Sequence, residues 1–173
     1  MLGSWKSDDL PKLTSKNCRV TSPVKNSYNC IAWAATGSDS DWWWPIPLGF
    51  WPPVSYWPPG VPREVTIAAF LQAFGTVGYV QCKDGKLEAG FEKIALYANR
   101  MPWGEIVPTH AARQLPDGKW TSKLGTLEDI EHKKPADVNG PIYGGVVHYM
   151  QRPMPQAPAV ATDAEAGPEP EAL

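Results

Sequence analysis

The sequence predicts an α+β domain, with N-terminal helices packed on an antiparallel sheet of about three to five strands. Three observations predict it. The apolar run CIAWAAT begins at Cys30 and stops at Gly37; TIAAFLQAFGTVGY carries one apolar stripe; and beyond Cys82 the chain turns to strand-like segments joined by turn signals. No βαβ repeat and no glycine-rich dinucleotide fingerprint interrupts that order.

Taken along the chain, residues 1–22 are polar without a sustained period and predict an extended lead-in. Residues 23–152 predict a single domain, and 153–173 an acidic, compositionally disordered tail. SPVKNSYN forms a loop, and Asn29 or Ser27 can cap a short helix that runs to Thr36. Residues 41–62 hold five tryptophans together with Phe50 and Tyr56, and their prolines deny them a regular helix or central strand. An ordered aromatic loop is expected there, whose rings fill the core or line a groove. In the second helix Ile67, Phe70, Leu71, Phe74 and Val77 recur at spacings of three and four, with Thr66 or Pro62 at its start and Gly78 at its end. YVQC predicts a short strand, EKIALYA another, and THAARQL-PDG-KWTSKL a hairpin turned at Asp117-Gly118. EDIEHKKPADVNG is expected to be a polar turn or short helix, and YGGVVHYMQR completes the sheet.

The totals narrow the function. The 173 residues suffice for one core. Four of the 18 acidic groups lie in the tail (Asp163, Glu165, Glu169, Glu171), leaving 14 against 16 basic side chains in the body. That balance, with almost no Lys or Arg in the aromatic loop, argues against nucleic acid. No stretch approaches the roughly 18 apolar residues of a membrane span, and MLGSWKSDDLPKL lacks a secretory apolar region. The expectation is therefore a cytoplasmic protein outside the membrane, with delivery by a dedicated secretion apparatus left open. Cys18, Cys30 and Cys82 form no CxxC pair, which argues against a disulfide scaffold. With His132 they show no metal-ligand spacing either, so neither metal nor cofactor is expected.

The chemistry centres on Cys30. A cysteine in the first turn of a helix feels unpaired N–H groups that favour thiolate and can stabilise an oxyanion. It needs a base, and His110, at the start of the hairpin, is the best placed of three histidines. His132, in a charged turn, and His148, in VVHYM, are weaker choices. The orienting group is Asp129, with Ser122 its rival across the hairpin; Lys123 suits an ion pair or an acidic substrate. Asn26 or Asn29 can join the Cys30 amide as oxyanion donor, although Asn29 serves equally as the helix cap. Trp42, Trp43, Trp44, Trp51, Tyr56 and Trp57 are candidates for a substrate groove.

Cys30 followed by the small-residue run CIAWAA, then His110 opening a strand, resembles the papain-like superfamily, with the compact NlpC/P60 and CHAP-like amidases and peptidases nearest in scale. That resemblance implies a papain-like small domain and a thiol protease, with Cys30 as nucleophile, His110 as base and Asp129 as orienter. NSYNCIAWAA, the WWWP…YWP loop, GFEKIALYA, THAARQLPDGKWTSKLG and EDIEH also resemble a family of bacterial proteins over residues 20–152, which brings no activity with it. The function expected is a cysteine-dependent hydrolase or acyl-transfer enzyme acting on an amide bond of a peptide, protein or cell-wall peptide through a thioester. Peptidase, amidase, deamidase and transamidase outcomes share that centre. The alternative is a non-enzymatic protein- or peptide-binding module that uses the aromatic loop.

Overall fold

The computed structural model describes residues 3–36, 42, 44–45 and 56–154. Its frame is a seven-stranded antiparallel sheet in the order β1-β6-β5-β4-β3-β7-β2. The strands are β1 (Cys18–Val20), β2 (Val80–Cys82), β3 (Phe91–Arg100), β4 (Ile106–Gln114), β5 (Trp120–Lys123), β6 (Asp129–His132) and β7 (Gly145–Pro153). Two α-helices, α1 (Cys30–Thr36) and α2 (Ile67–Gly75), and a 3₁₀ turn (Pro135–Val138) complete the described elements.

Local chemistry accounts for most of these boundaries. The Asn29 side-chain oxygen accepts from the amides of Ile31 (2.9 Å) and Ala32 (3.1 Å), satisfying two N–H groups that α1 leaves without partners. Thr66 does the same for α2 through the Ala69 amide, and the Thr76 amide closes that helix three residues short of the expected stop. The Asp117-Gly118 hairpin forms as expected, with Gly118 at φ +84° and the Gly118 amide bonded to the Leu115 carbonyl at 2.9 Å.

Alternation along the strands divides the sheet into two faces. Ile94, Leu96, Ala111 and Met150 point to one face, under α1, α2 and the rings of Trp33, Trp42, Trp44 and Trp57. Ala95, Tyr97, Ala112, Trp120 and Ile130 point to the other, under the N-terminal Leu10 and Leu13 and the 3₁₀ residue Val138. Ala32, Ala34 and Ala35 let α1 lie close on the first face. There the Trp33 indole donates to Thr121 at 3.1 Å and the Arg113 guanidinium covers its ring.

Four expectations need correction. The sheet has seven strands rather than three to five, and the described residues hold only two α-helices, so the papain-like small domain is not the architecture found. Within EDIEHKKPADVNG, Asp129–His132 is strand β6, because β5 and β1 flank it and pair with it on both sides, and only Pro135–Val138 forms a short helical turn. Part of the lead-in is likewise a strand: β1 pairs Cys18 with His132 and Val20 with Ile130. Leu10 and Leu13 are core residues rather than a loose extension. The tail after Met154, with Trp43, Trp51 and most of the aromatic loop, lies outside the described residues.

Candidate active site

β4 is the middle strand of the sheet, and the site forms where it passes the start of α1. Cys30 is the first residue of that helix and is 7% exposed. The backbone amides of Ala111 in β4, Cys30 and Ile31 act on the sulfur in the sense that favours thiolate. Burial outweighs them and pushes the thiol up to about 11. The thiolate expected from a helix-start position is therefore not the resting state; Cys30 is held as a neutral thiol.

His110, one residue before Ala111, is fully buried on the opposite face. Its ring lies flat against Tyr143 at 4.1 Å between centroids and 17° between planes, with Tyr97 tilted at 5.2 Å. Its Nε2 is 3.0 Å from Ser122 Oγ, while Nδ1 has no hydrogen-bond partner among the described residues. Burial, then the nearby His132, pulls the imidazole down to about 3, so it too is neutral at ordinary pH.

Tyr143 connects the two groups. It stacks on His110 and, with Cys30, Asn29, Trp44, Thr109, Gly125 and Thr126, lines a cavity of about 230 Å³. Its position is set from β4. The Thr109 hydroxyl donates to the Tyr143 carbonyl at 2.6 Å, from a bulge where the β3–β4 register skips from His110 to Pro108. The next residue must be glycine: Gly144 has φ +68°, and a Cβ there would stand 2.0 Å from the Ala98 carbonyl oxygen.

The other expected site residues separate. Ser122 takes the place beside His110. Asp129 is directed to the α1 face by its register with Lys123, where it accepts from the Tyr28 hydroxyl and lies 4.0 Å from Lys123 Nζ. Lys123 is fully buried, donates to the Leu127 carbonyl and sits 4.8 Å over the Tyr28 ring. Asn29 lines the cavity, its Oδ1 committed to capping α1, whereas Asn26 is exposed and lies outside that wall. Trp42 and Trp57 are core residues, at 6% and 5% exposure, and Tyr56 is exposed; of the described aromatic-loop residues only Trp44 reaches the cavity. Tyr143, Thr109, Gly125 and Thr126 had no motif to announce them, since ordinary loop and strand residues become a wall only when the sheet closes.

No hydrogen bond joins Cys30 to His110, and Asp129 does not reach the imidazole, so the Cys30–His110–Asp129 triad of a thiol protease is not assembled. The three cysteines are free thiols. Among the described residues no three His, Cys, Asp or Glu side chains converge to hold a metal ion. No described helix is long and apolar enough to cross a membrane. No curated protein and no solved structure matches the chain. The family described as Domain of unknown function (DUF7689) matches residues 19–151, and the chain belongs to that family.

Proposed function

We propose that the cavity beside Cys30 is the site of a cysteine-dependent acyl transfer, in which an amide or ester is cleaved through a thioester. The observation that carries this reading is the shared wall: Cys30 opens onto a cavity whose Tyr143 is stacked on an imidazole with one nitrogen unpartnered.

The reaction uses a neutral pair. His110 Nδ1 takes the thiol proton as the Cys30 sulfur forms a bond to the substrate carbonyl carbon; in the free chain the two groups lie on opposite faces of β4, so this step requires the imidazole to move toward the sulfur when substrate occupies the cavity. The oxyanion accepts from the Asn29 amide NH₂, the half of that side chain not committed to the cap. Collapse breaks the bond to the leaving amine or alcohol, which receives the proton from His110. Water then attacks the thioester, giving its proton to His110 and releasing a carboxylic acid and the thiol. The cavity of about 230 Å³ suits a small acyl group or one side chain of a peptide.

The test is turnover of 4-nitrophenyl acetate with intact-mass analysis. The native chain should gain one acetyl group on Cys30 and release nitrophenolate; Cys30→Ala should do neither. His110→Ala should slow acylation by about 10²-fold or more. Equal nitrophenolate release from the native chain and Cys30→Ala overturns the proposal.

A further inference from the structure

A chain of buried hydrogen bonds leads away from His110. His110 Nε2 is 3.0 Å from Ser122 Oγ, the same oxygen is 2.9 Å from His132 Nε2, and His132 Nδ1 is 2.8 Å from the Lys134 carbonyl oxygen. The three side chains are at most 1% exposed. They come from three neighbouring strands, β4, β5 and β6, and lie on one face of the sheet.

The polarity of this chain follows from its last atom. A carbonyl oxygen only accepts, so His132 Nδ1 carries a hydrogen and donates it. In a neutral ring Nε2 is then a bare acceptor, and the Ser122 hydroxyl must donate to it. The serine has one hydrogen, so toward His110 it offers a lone pair, and His110 Nε2 must be the donor. The remaining nitrogen of His110, Nδ1, is left without a hydrogen, and it is also the ring atom without a partner.

We infer that His132, acting through Ser122, fixes His110 in its Nε2–H tautomer and so keeps Nδ1 as a bare, proton-accepting nitrogen. Ser122 and His132 are positioning residues: neither lines the cavity at Cys30. The inference concerns the tautomer alone; its use in catalysis rests on the reading of Cys30 as nucleophile.

The surroundings of His132 support a neutral ring, on which the polarity depends. Its outer side meets a hollow lined by Lys16, Arg19, Lys119 and Lys133, with Glu131 as the single carboxylate. Glu131 is itself 3.0 Å from both Arg19 and Lys119, so its charge is already paired. Asp137 acts in the other sense, as do Glu131 and the bond to Lys134, but burial is the largest influence and lowers the imidazole below its usual range. A doubly protonated His132 would keep its bond to the Lys134 carbonyl but reverse the two bonds through Ser122, turning the serine hydrogen toward His110 and placing a hydrogen on Nδ1.

Two-bond ¹H–¹⁵N correlation spectra of the histidine rings in the full chain at neutral pH decide the matter without any variant. The expected result is a pyridine-like Nδ1 and a pyrrole-like Nε2 on His110, with the reverse assignment on His132. A pyrrole-like Nδ1 on His110 overturns the inference. Ser122→Ala and His132→Gln sharpen it: each should populate Nδ1–H on His110, and each should slow acetylation of Cys30 by 4-nitrophenyl acetate about tenfold, the scale of a lost supporting contact. An unchanged His110 tautomer in both folded variants also overturns it. A shifted tautomer with unchanged acetylation upholds the relay and counts against His110 as the base for Cys30.

Discussion

The two faces of the sheet bury polar groups in different ways. On the α1 face an ion pair is sunk beneath a helix: Lys123 and Asp129 are both almost wholly buried, and Tyr28 touches each of them. On the opposite face three buried polar groups form a neutral line from His110 through Ser122 to His132. A buried ion pair is costly to break because the survivor stays charged in a poor solvent, whereas a neutral line loses only hydrogen bonds. The charged cluster therefore bears on stability, and the neutral line can set a proton position without requiring a full charge in the core.

Breaking the charged face should have the larger effect. Lys123→Met, which leaves Asp129 buried and unpaired, is expected to destabilise the fold by about 3–5 kcal/mol in urea unfolding. Adding Asp129→Asn should recover much of that loss, since the stranded charge is gone. If the single and double variants unfold alike, the pair is not the stabilising unit on that face.

Acid should find the neutral face. The His110 imidazole is lowered from 6.5 to about 3 in the fold, so the unfolded chain binds its proton first as pH falls. Its contribution is present in full above about pH 6.5 and is lost as pH drops toward 3. Urea midpoints across that range should fall more steeply for the native chain than for His110→Gln; parallel slopes would remove His110 from the acid response.

Two smaller effects separate the components of the site. Ser122→Ala strands ring nitrogens of two histidines and should cost about 1–3 kcal/mol in urea unfolding. Asn29→Ala removes the cap of α1 and should cost about 1 kcal/mol, with a further loss of ester turnover because the same amide faces the cavity. An Asn29 variant that loses stability but keeps full turnover leaves the cap as its whole role.

The same contrast explains what the sequence could and could not reveal. The α2 stripe and the Asp117-Gly118 turn were legible because each is a local pattern whose cause lies within a few residues. Strands β1 and β6 were not, because each has only three or four residues and Arg19 and Glu131 form a cross-strand ion pair. In β6 both faces are buried but one carries Asp129 and the other His132, so polar residues occupy alternate positions on both sides and the period-two signal disappears. The choice between Asp129 and Ser122 beside His110 needed the register: Ser122 stands opposite Ile130, and Asp129 opposite Lys123, one face away. Cys30 and His110 were singled out by residue type and position. The preference of Cys30 for the thiol form was not legible, since burial and not the helix start decides it.

The proposed chemistry needs Cys30, at the start of α1, and His110, on β4, to act on one substrate in the cavity walled by Tyr143. A crystal structure of the chain alkylated at Cys30 with chloroacetamide tests it most directly. The expected adduct has its carbonyl oxygen within hydrogen-bond distance of the Asn29 amide NH₂, with His110 Nδ1 turned toward the alkylated sulfur. An adduct that lies outside the cavity, or an imidazole that keeps Nδ1 away from it, would contradict the account.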